Sequence, residues 1–212
     1  MFRKSGLLMD GLAIALGLAG LSAVSSAQVG STLRVITVPV PSPSCCGIGV
    51  AVDCNGDLYY TNTYEPTLRR IDAFGVLLGT VSLTRADTGG PISFGAIAWD
   101  SNRQKLWGGT DDSAVFSPIQ AWLIDPATGV ATFQFSAQTP GGFGFTDGLA
   151  YDSGDDSIWW SDDVASSIDH QAAATGAPMP GSPLVPTDAG GSPLSSLSGV
   201  LRGVGDVLYL GH

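Results

Sequence analysis

The sequence predicts an all-β fold assembled from repeated antiparallel sheets, and three observations carry that expectation. Glycine (29) and proline (13) are abundant in 212 residues and charged residues make up only 13%, a composition that favours short strands joined by many turns. The segment GVAVDCNGDLYYTN (Gly49 to Asn62) returns as GAIAWDSNRQKLWGGT (Gly95 to Thr110), as GLAYDSGDDSIWWSD (Gly148 to Asp162) and, more weakly, from Gly199 to His212. The anchors Leu58, Leu106, Ile158 and Leu208 recur at spacings of 48, 52 and 50 residues. A period of that length with four short strands per unit fits a β-propeller of four-stranded antiparallel blades. A sandwich shows no such repeat, and a solenoid rung is shorter.

The chain opens with Arg3 and Lys4, an apolar small-residue run from Gly11 to Val24, and Ser25-Ser26-Ala27 before Gln28. This is the three-part pattern of a secretory signal peptide. Residues 1–27 are therefore read as a leader, residues 28–212 as the propeller domain, and the location as secreted or periplasmic. A retained anchor needs about 20 apolar residues, and Asp10 with the short run argue against one, so no membrane span is expected after cleavage. Of 9 basic and 19 acidic residues the leader removes two and one, leaving 7 against 18 and a formal charge of −11. Nucleic acid is excluded as a partner on this ground, because phosphate binding needs clustered Lys and Arg.

Ser31 to Val40 (STLRVITVPV) is β-branched and broken by prolines, an edge or closing strand. Blades are expected to start near residues 47, 94, 146 and 198. In the first, alternation puts Gly49, Ala51 and Asp53 on one face and Val50 and Val52 on the other. Cys54-Asn55-Gly56 turns, Leu58 to Thr61 returns, and Thr67 to Asp72 and Val76 to Leu83 complete a meander. The second blade reads Ala96 to Asp100, Lys105 to Gly108, Gln120 to Asp125 and Val130 to Phe135. The third reads Gly148 to Asp152, Ser157 to Ser161 and Ser166 to His170, followed by a long Ala-Gly-Pro-Ser loop from Ala172 to Ser198 with one strand near Pro183 to Pro186. The fourth supplies Gly199 to Gly203 and Asp206 to Leu210 and is incomplete.

Cys45, Cys46 and Cys54 lie close in sequence. An extended Gly47 to Asp53 spans about 23 Å, whereas bridged cysteines keep their Cα atoms within about 7 Å. That leaves a vicinal Cys45–Cys46 disulfide with Cys54 unpaired, or three free thiols.

The unit G-[hydrophobic]-A-[bulky]-D, a glycine-containing turn, then [Leu/Ile]-[Tyr/Trp]-x-[Thr/Ser]-[Asn/Asp] resembles the blade signature of NHL-repeat, streptogramin-lyase and gluconolactonase-type propellers over roughly Gly47 to Leu210. The resemblance implies a first strand of each blade lining a central channel, where the bare face of Gly49 and Ala51 would relieve crowding. It is silent on activity, because that superfamily holds lyases, lactonases and binding scaffolds. Two departures stand out. Arg202 occupies the place of Val52, Trp99 and Tyr151, and the fourth unit stops early. Either Leu33 to Val38 closes a four-bladed ring, or the chain is truncated and its open blade edges invite self-association; the abrupt stop inside a repeat favours the second.

The segments after the second strands are equivalent loops and carry Asn62, Asp111, Asp112, Asp162, Asp163 and His212. Oxygen ligands meeting at a channel mouth suit Ca²⁺ or another divalent cation, and gluconolactonase-type relatives hold a metal in the channel with such side chains. The competing role is turn capping, which is also assigned to Asp53, Asp100 and Asp152. Trp159 and Trp160 are adjacent on a strand and face opposite ways, so one of the pair is a candidate ligand contact. His170 has no recognisable Ser or Cys partner, and no G-x-S-x-G elbow, phosphate loop or zinc spacing occurs. The expected function is an exported, non-catalytic propeller binding a protein, glycan or small molecule at its loop face. The alternative is a divalent-metal-dependent lyase or lactonase of the streptogramin-lyase or gluconolactonase type.

Overall fold

The computed structural model describes residues 35, 36, 38, 49–110, 119–136, 146–162, 167–194, 197, 199–202 and 208–211. Residues 1–35 form a unit of their own, in which Val35 alone is described; the fold below belongs to residues 36–212. Cys45 and Cys46, and with them the expected disulfide, lie outside the described residues. Cys54 is an exposed free thiol.

Among the described residues there is no helix, and the strands fall into four sheets in chain order, antiparallel except for one short strand. The first is a meander of β1 (Val50–Val52), β2 (Leu58–Asn62), β3 (Glu65–Ile71) and β4 (Leu77–Ser82). A short β5 (Thr84–Arg85) leaves it and pairs in parallel with the outer strand of the second sheet, which comprises β6 (Ala96–Asp100), β7 (Lys105–Gly109), β8 (Gln120–Ile124) and β9 (Val130–Ser136). The third sheet holds β10 (Thr146–Asp152), β11 (Ser157–Asp162) and β12 (Ile168–Ala172); the fourth holds β13 (Gly199–Arg202) and β14 (Leu208–Gly211). Each first strand neighbours the next, β1 beside β6, β6 beside β10 and β10 beside β13. Repeated meanders with their first strands side by side make this an all-β, β-propeller fold.

The third sheet departs from the four-strand expectation. Where an outer strand would run, the chain folds back and bonds to β12 at intervals: Ile168 and Leu184 exchange both N–H···O bonds at 2.8 Å, and Met179 N–H donates to the His170 carbonyl at 2.8 Å. Pro178, Pro180, Pro183 and Pro186 explain this, because each lacks the N–H that a continuous ladder requires.

Two apolar cores lie between successive sheets. Tyr59, Leu68, Trp122 and Ile124 belong to the one joining the first and second sheets, and Trp107, Phe135, Ile158 and Trp160 to the one joining the second and third. Fully burying one large apolar side chain contributes about 1.5–3 kcal/mol, so these few tryptophans and isoleucines hold the stack together.

The bare face of the first strands relieves crowding between neighbouring first strands. A Cβ on Gly49 would come within 2.8 Å of the Ile97 nitrogen, and one on Gly148 within 2.3 Å of the Val200 nitrogen. Backbone therefore abuts backbone between sheets. Gly148→Ala is expected to cost about 1–3 kcal/mol through overpacking, read from the urea denaturation midpoint, with Gly79→Ala as the comparison because a Cβ there meets nothing within 4 Å.

Candidate functional site

Of the expected metal-ligand set, Asp111, Asp112, Asp163, His212 and the Asp162 side chain lie outside the described residues, leaving Asn62. It is buried at the end of β2, and its Oδ1 accepts the Tyr64 N–H at 3.0 Å, an Asx turn. Among the described residues no three His, Cys, Asp or Glu side chains group as metal ligands do. The tryptophan pair divides by burial. Trp160 is in the core, edge-on to Phe135 at 6.3 Å between centroids, while half-buried Trp159 stacks on His170 at 3.6 Å and 10°.

The carboxylates that end the first strands cap turns. Asp53 Oδ1 accepts the N–H groups of Asn55 at 2.8 Å and Asp57 at 3.0 Å; Asp100 Oδ1 accepts those of Asn102 at 3.0 Å and Arg103 at 2.9 Å; Asp152 Oδ1 accepts that of Gly154 at 2.9 Å. Asp72, Asp125 and Asp188 repeat the device further along the chain. Side chains of this length reach their own following N–H groups, which is why the type recurs at turns.

Arginine supplies the counter-charge. Arg70 Nε donates to Asp57 Oδ2 at 2.9 Å, and its Nη2 lies 3.9 Å from Asp53 Oδ2. Arg103 bridges two sheets: it forks onto Asp156 (2.6 and 2.7 Å) and also donates to Asp100 Oδ2 at 2.8 Å, which accepts the Trp107 indole N–H at 2.9 Å as well. Tyr151 completes the clamp, its hydroxyl donating to Asp156 Oδ1 at 2.7 Å and accepting from Asn102 Nδ2 at 2.8 Å. Hydrogen bonding to Arg103 holds the Asp156 carboxyl below the usual carboxylate range, and burial, reinforced by Asp156, pushes the Tyr151 phenol well up. No local pattern signals this clamp directly, because Arg103 and Asp156 are 53 residues apart. The one local signal, an arginine three residues after a capping Asp, has no counterpart in the other turns.

Beside the clamp, the first strands line a groove of about 440 Å³. Its wall includes Val50, Val52, Trp99, Tyr151 and Leu201, with Ser101 and Ser153 from the turns, and among the described lining residues none is charged. Position by position the wall is informative. Ile97 and Leu149 are buried in the cores against the preceding sheets, Val200 is buried as well, and Trp99 stacks on Tyr59 of the first sheet at 5.8 Å and 9°. Their equivalents in the first sheet, Val50 and Val52, are 53% and 52% exposed, and Leu201 on the opposite-facing side of β13 is 63% exposed.

His170 has a partner that its sequence context did not disclose. Its Nε2 lies 2.7 Å from Ser157 Oγ, which in turn donates to Asp155 Oδ1, while Asp155 Oδ2 is 3.6 Å from the ring. The three residues do not form a nucleophile relay. Ser157 is fully buried, and the carboxylate engages the hydroxyl instead of the far ring nitrogen, where it would have to sit to orient a general base.

The protein class defined by this geometry is a β-propeller. In comparisons with solved structures the chain is similar to a catalytically inactive variant of virginiamycin B lyase from Staphylococcus aureus with quinupristin, at 20% identity over 81% of this chain and 50% of that one, TM-score 0.49. It is also similar to glutaminyl cyclase from Myxococcus xanthus (15%, 77% and 60%, 0.48) and to hydrazine synthase from Kuenenia stuttgartiensis (12%, 82% and 42%, 0.48). The chain thus spans 42% to 60% of the length of these structures. No protein-family pattern and no characterised protein sequence matches it.

The clamp predicts an acid limb. Because the folded pKa of Asp156 is depressed, its contribution is present above the unfolded value near 3.9 and is lost as pH falls through the folded one. Asp156→Asn should lower stability at neutral pH by about 1 kcal/mol, a half-exposed pair being worth less than a buried one. Thermal melts of both proteins between neutral and strongly acid pH should converge at the acid end.

Proposed function

We propose that this chain is an exported, non-catalytic propeller module that holds a compact, uncharged ligand in the groove between its first strands. The supporting observation is the exposure of Val50, Val52 and Leu201 toward one cavity, where Ile97, Leu149 and Val200, at the position of Val50 in the later sheets, are buried. The cavity has the size of a small-molecule site, and its described lining, free of charged side chains, favours a neutral ligand. The titratable groups at its rim support binding over proton transfer: a general acid or base works best with a pKa near the operating pH, whereas Tyr151 is pushed up and Asp156 down, both away from neutrality. The leader pattern in the sequence supports export. This reading moves the ligand seat from the loops beyond the second strands to the groove.

The test is a ¹⁵N-HSQC titration of the full chain with uncharged peptides and neutral glycans, followed by a second titration of Val52→Asp. Amides of Val50, Val52, Tyr151 and Leu201 should shift together, and the buried carboxylate should weaken binding roughly tenfold or more. Shifts confined to the residues around Asn62 would overturn the groove as the seat. Consumption of a lactone or cyclic ester in the presence of a divalent metal would replace the binding module with the lyase or lactonase.

A further inference from the structure

We propose that Asn55–Gly56 is a site of spontaneous deamidation whose rate is governed by the turn that Asp53 caps. The chain has three asparagines, Asn55, Asn62 and Asn102. Asn62 is buried and precedes the β-branched Thr63, and Asn102 precedes Arg103. Asn55 is exposed and precedes a glycine, which has no Cβ to shield its backbone nitrogen.

The chemistry needs no partner beyond water. The Gly56 backbone nitrogen loses its proton and attacks Cγ of Asn55, the bond from Cγ to the side-chain nitrogen breaks, and that nitrogen leaves as ammonia after taking a proton from solvent. The product is a five-membered succinimide. Water then adds to one of its two carbonyls, and ring opening leaves aspartate or isoaspartate at position 55.

The folded turn restrains the first step. The attacking nitrogen of Gly56 is occupied, its N–H donating to the Asp53 carbonyl at 3.1 Å, while the N–H groups on either side, of Asn55 and Asp57, are held by Asp53 Oδ1 at 2.8 and 3.0 Å. Gly56 sits at φ +85°, fixed in the left-handed region by the same turn. Cyclisation therefore draws on the population in which the turn is open.

The product matters because of where it forms. A new carboxylate arises between Asp53 and Asp57, which already share Arg70. Isoaspartate also lengthens the main chain by one carbon in the turn that ends β1, the strand that carries Val50 and Val52 into the groove. The modification stands on the turn geometry alone and holds whether or not a ligand binds there.

The experiment ages the full-length chain in warm, mildly alkaline buffer and follows it by peptide mapping and an isoaspartate methyltransferase assay. The mass gain of amide-to-acid conversion should appear in the peptide containing Asn55 and vanish in Asn55→Ser. Asp53→Ala, which removes two acceptor contacts, should deamidate roughly tenfold faster than wild type. Asp53→Asn, which keeps Oδ1, should stay within about twofold of wild type by the same reasoning. If Asp53→Ala does not fold, native and urea-unfolded wild type give the same comparison, with the unfolded chain faster. Equal rates for native and open forms, or conversion at Asn102 as fast as at Asn55, would overturn the proposal.

Discussion

The structure depends on backbone-to-backbone contact between neighbouring first strands. The first three sheets stand this close because one face of their first strands carries hydrogen or a methyl group, at Gly49, Ala51, Ala98, Gly148 and Ala150. The close approach brings the larger residues of the second and third strands, such as Tyr59, Trp107 and Trp160, against the next sheet and closes the two cores. It also sets the groove, since the same strands carry Val50, Val52, Trp99 and Tyr151 into its wall beside Ala51, Ala98 and Ala150. Core and candidate site thus share one row of strands.

Electrostatics follow from the turns at the ends of those strands. An acidic chain that gathers Asp53 with Asp57, and Asp100 with Asp156, needs a cation at each place, and here it is internal: Arg70 at the first and Arg103 at the second. A bidentate guanidinium suits the task because its planar fork matches a carboxylate. In the second case the fork also ties two sheets through Tyr151 and Asn102. Beside the groove, whose described lining carries no charged side chain, the same clamp holds Tyr151 and Asp156 away from neutral pH.

Much of this was legible in the residues. The repeat and its near-50-residue period imply successive meanders, alternation at Gly49 to Asp53 separates the bare face from the bulky one, and the recurring Asp after each first strand marks a turn. These are local patterns whose physical cause acts within a few residues. Other features were not legible. The outer edge of the third sheet, expected as a long loop with one strand near Pro183 to Pro186, pairs with β12 at Leu184 and again at Pro178 and Met179, because prolines forbid a continuous strand but still leave carbonyls and alternate N–H groups to pair. His170 gained Ser157 because the pairing of β11 with β12 sets Trp159 across from His170.

By itself, then, the sequence determined the strand units, their turns and the small face that lets sheets approach, since each follows from side-chain size and turn chemistry between near neighbours. Only the tertiary structure decided what the small face packs against, which arginine neutralises which carboxylate, and that Val50, Val52 and Leu201 share one cavity. The reason is distance along the chain. Residues about 50 or 150 positions apart meet only when whole sheets are stacked, and no local propensity records which faces that stacking covers and which it leaves open.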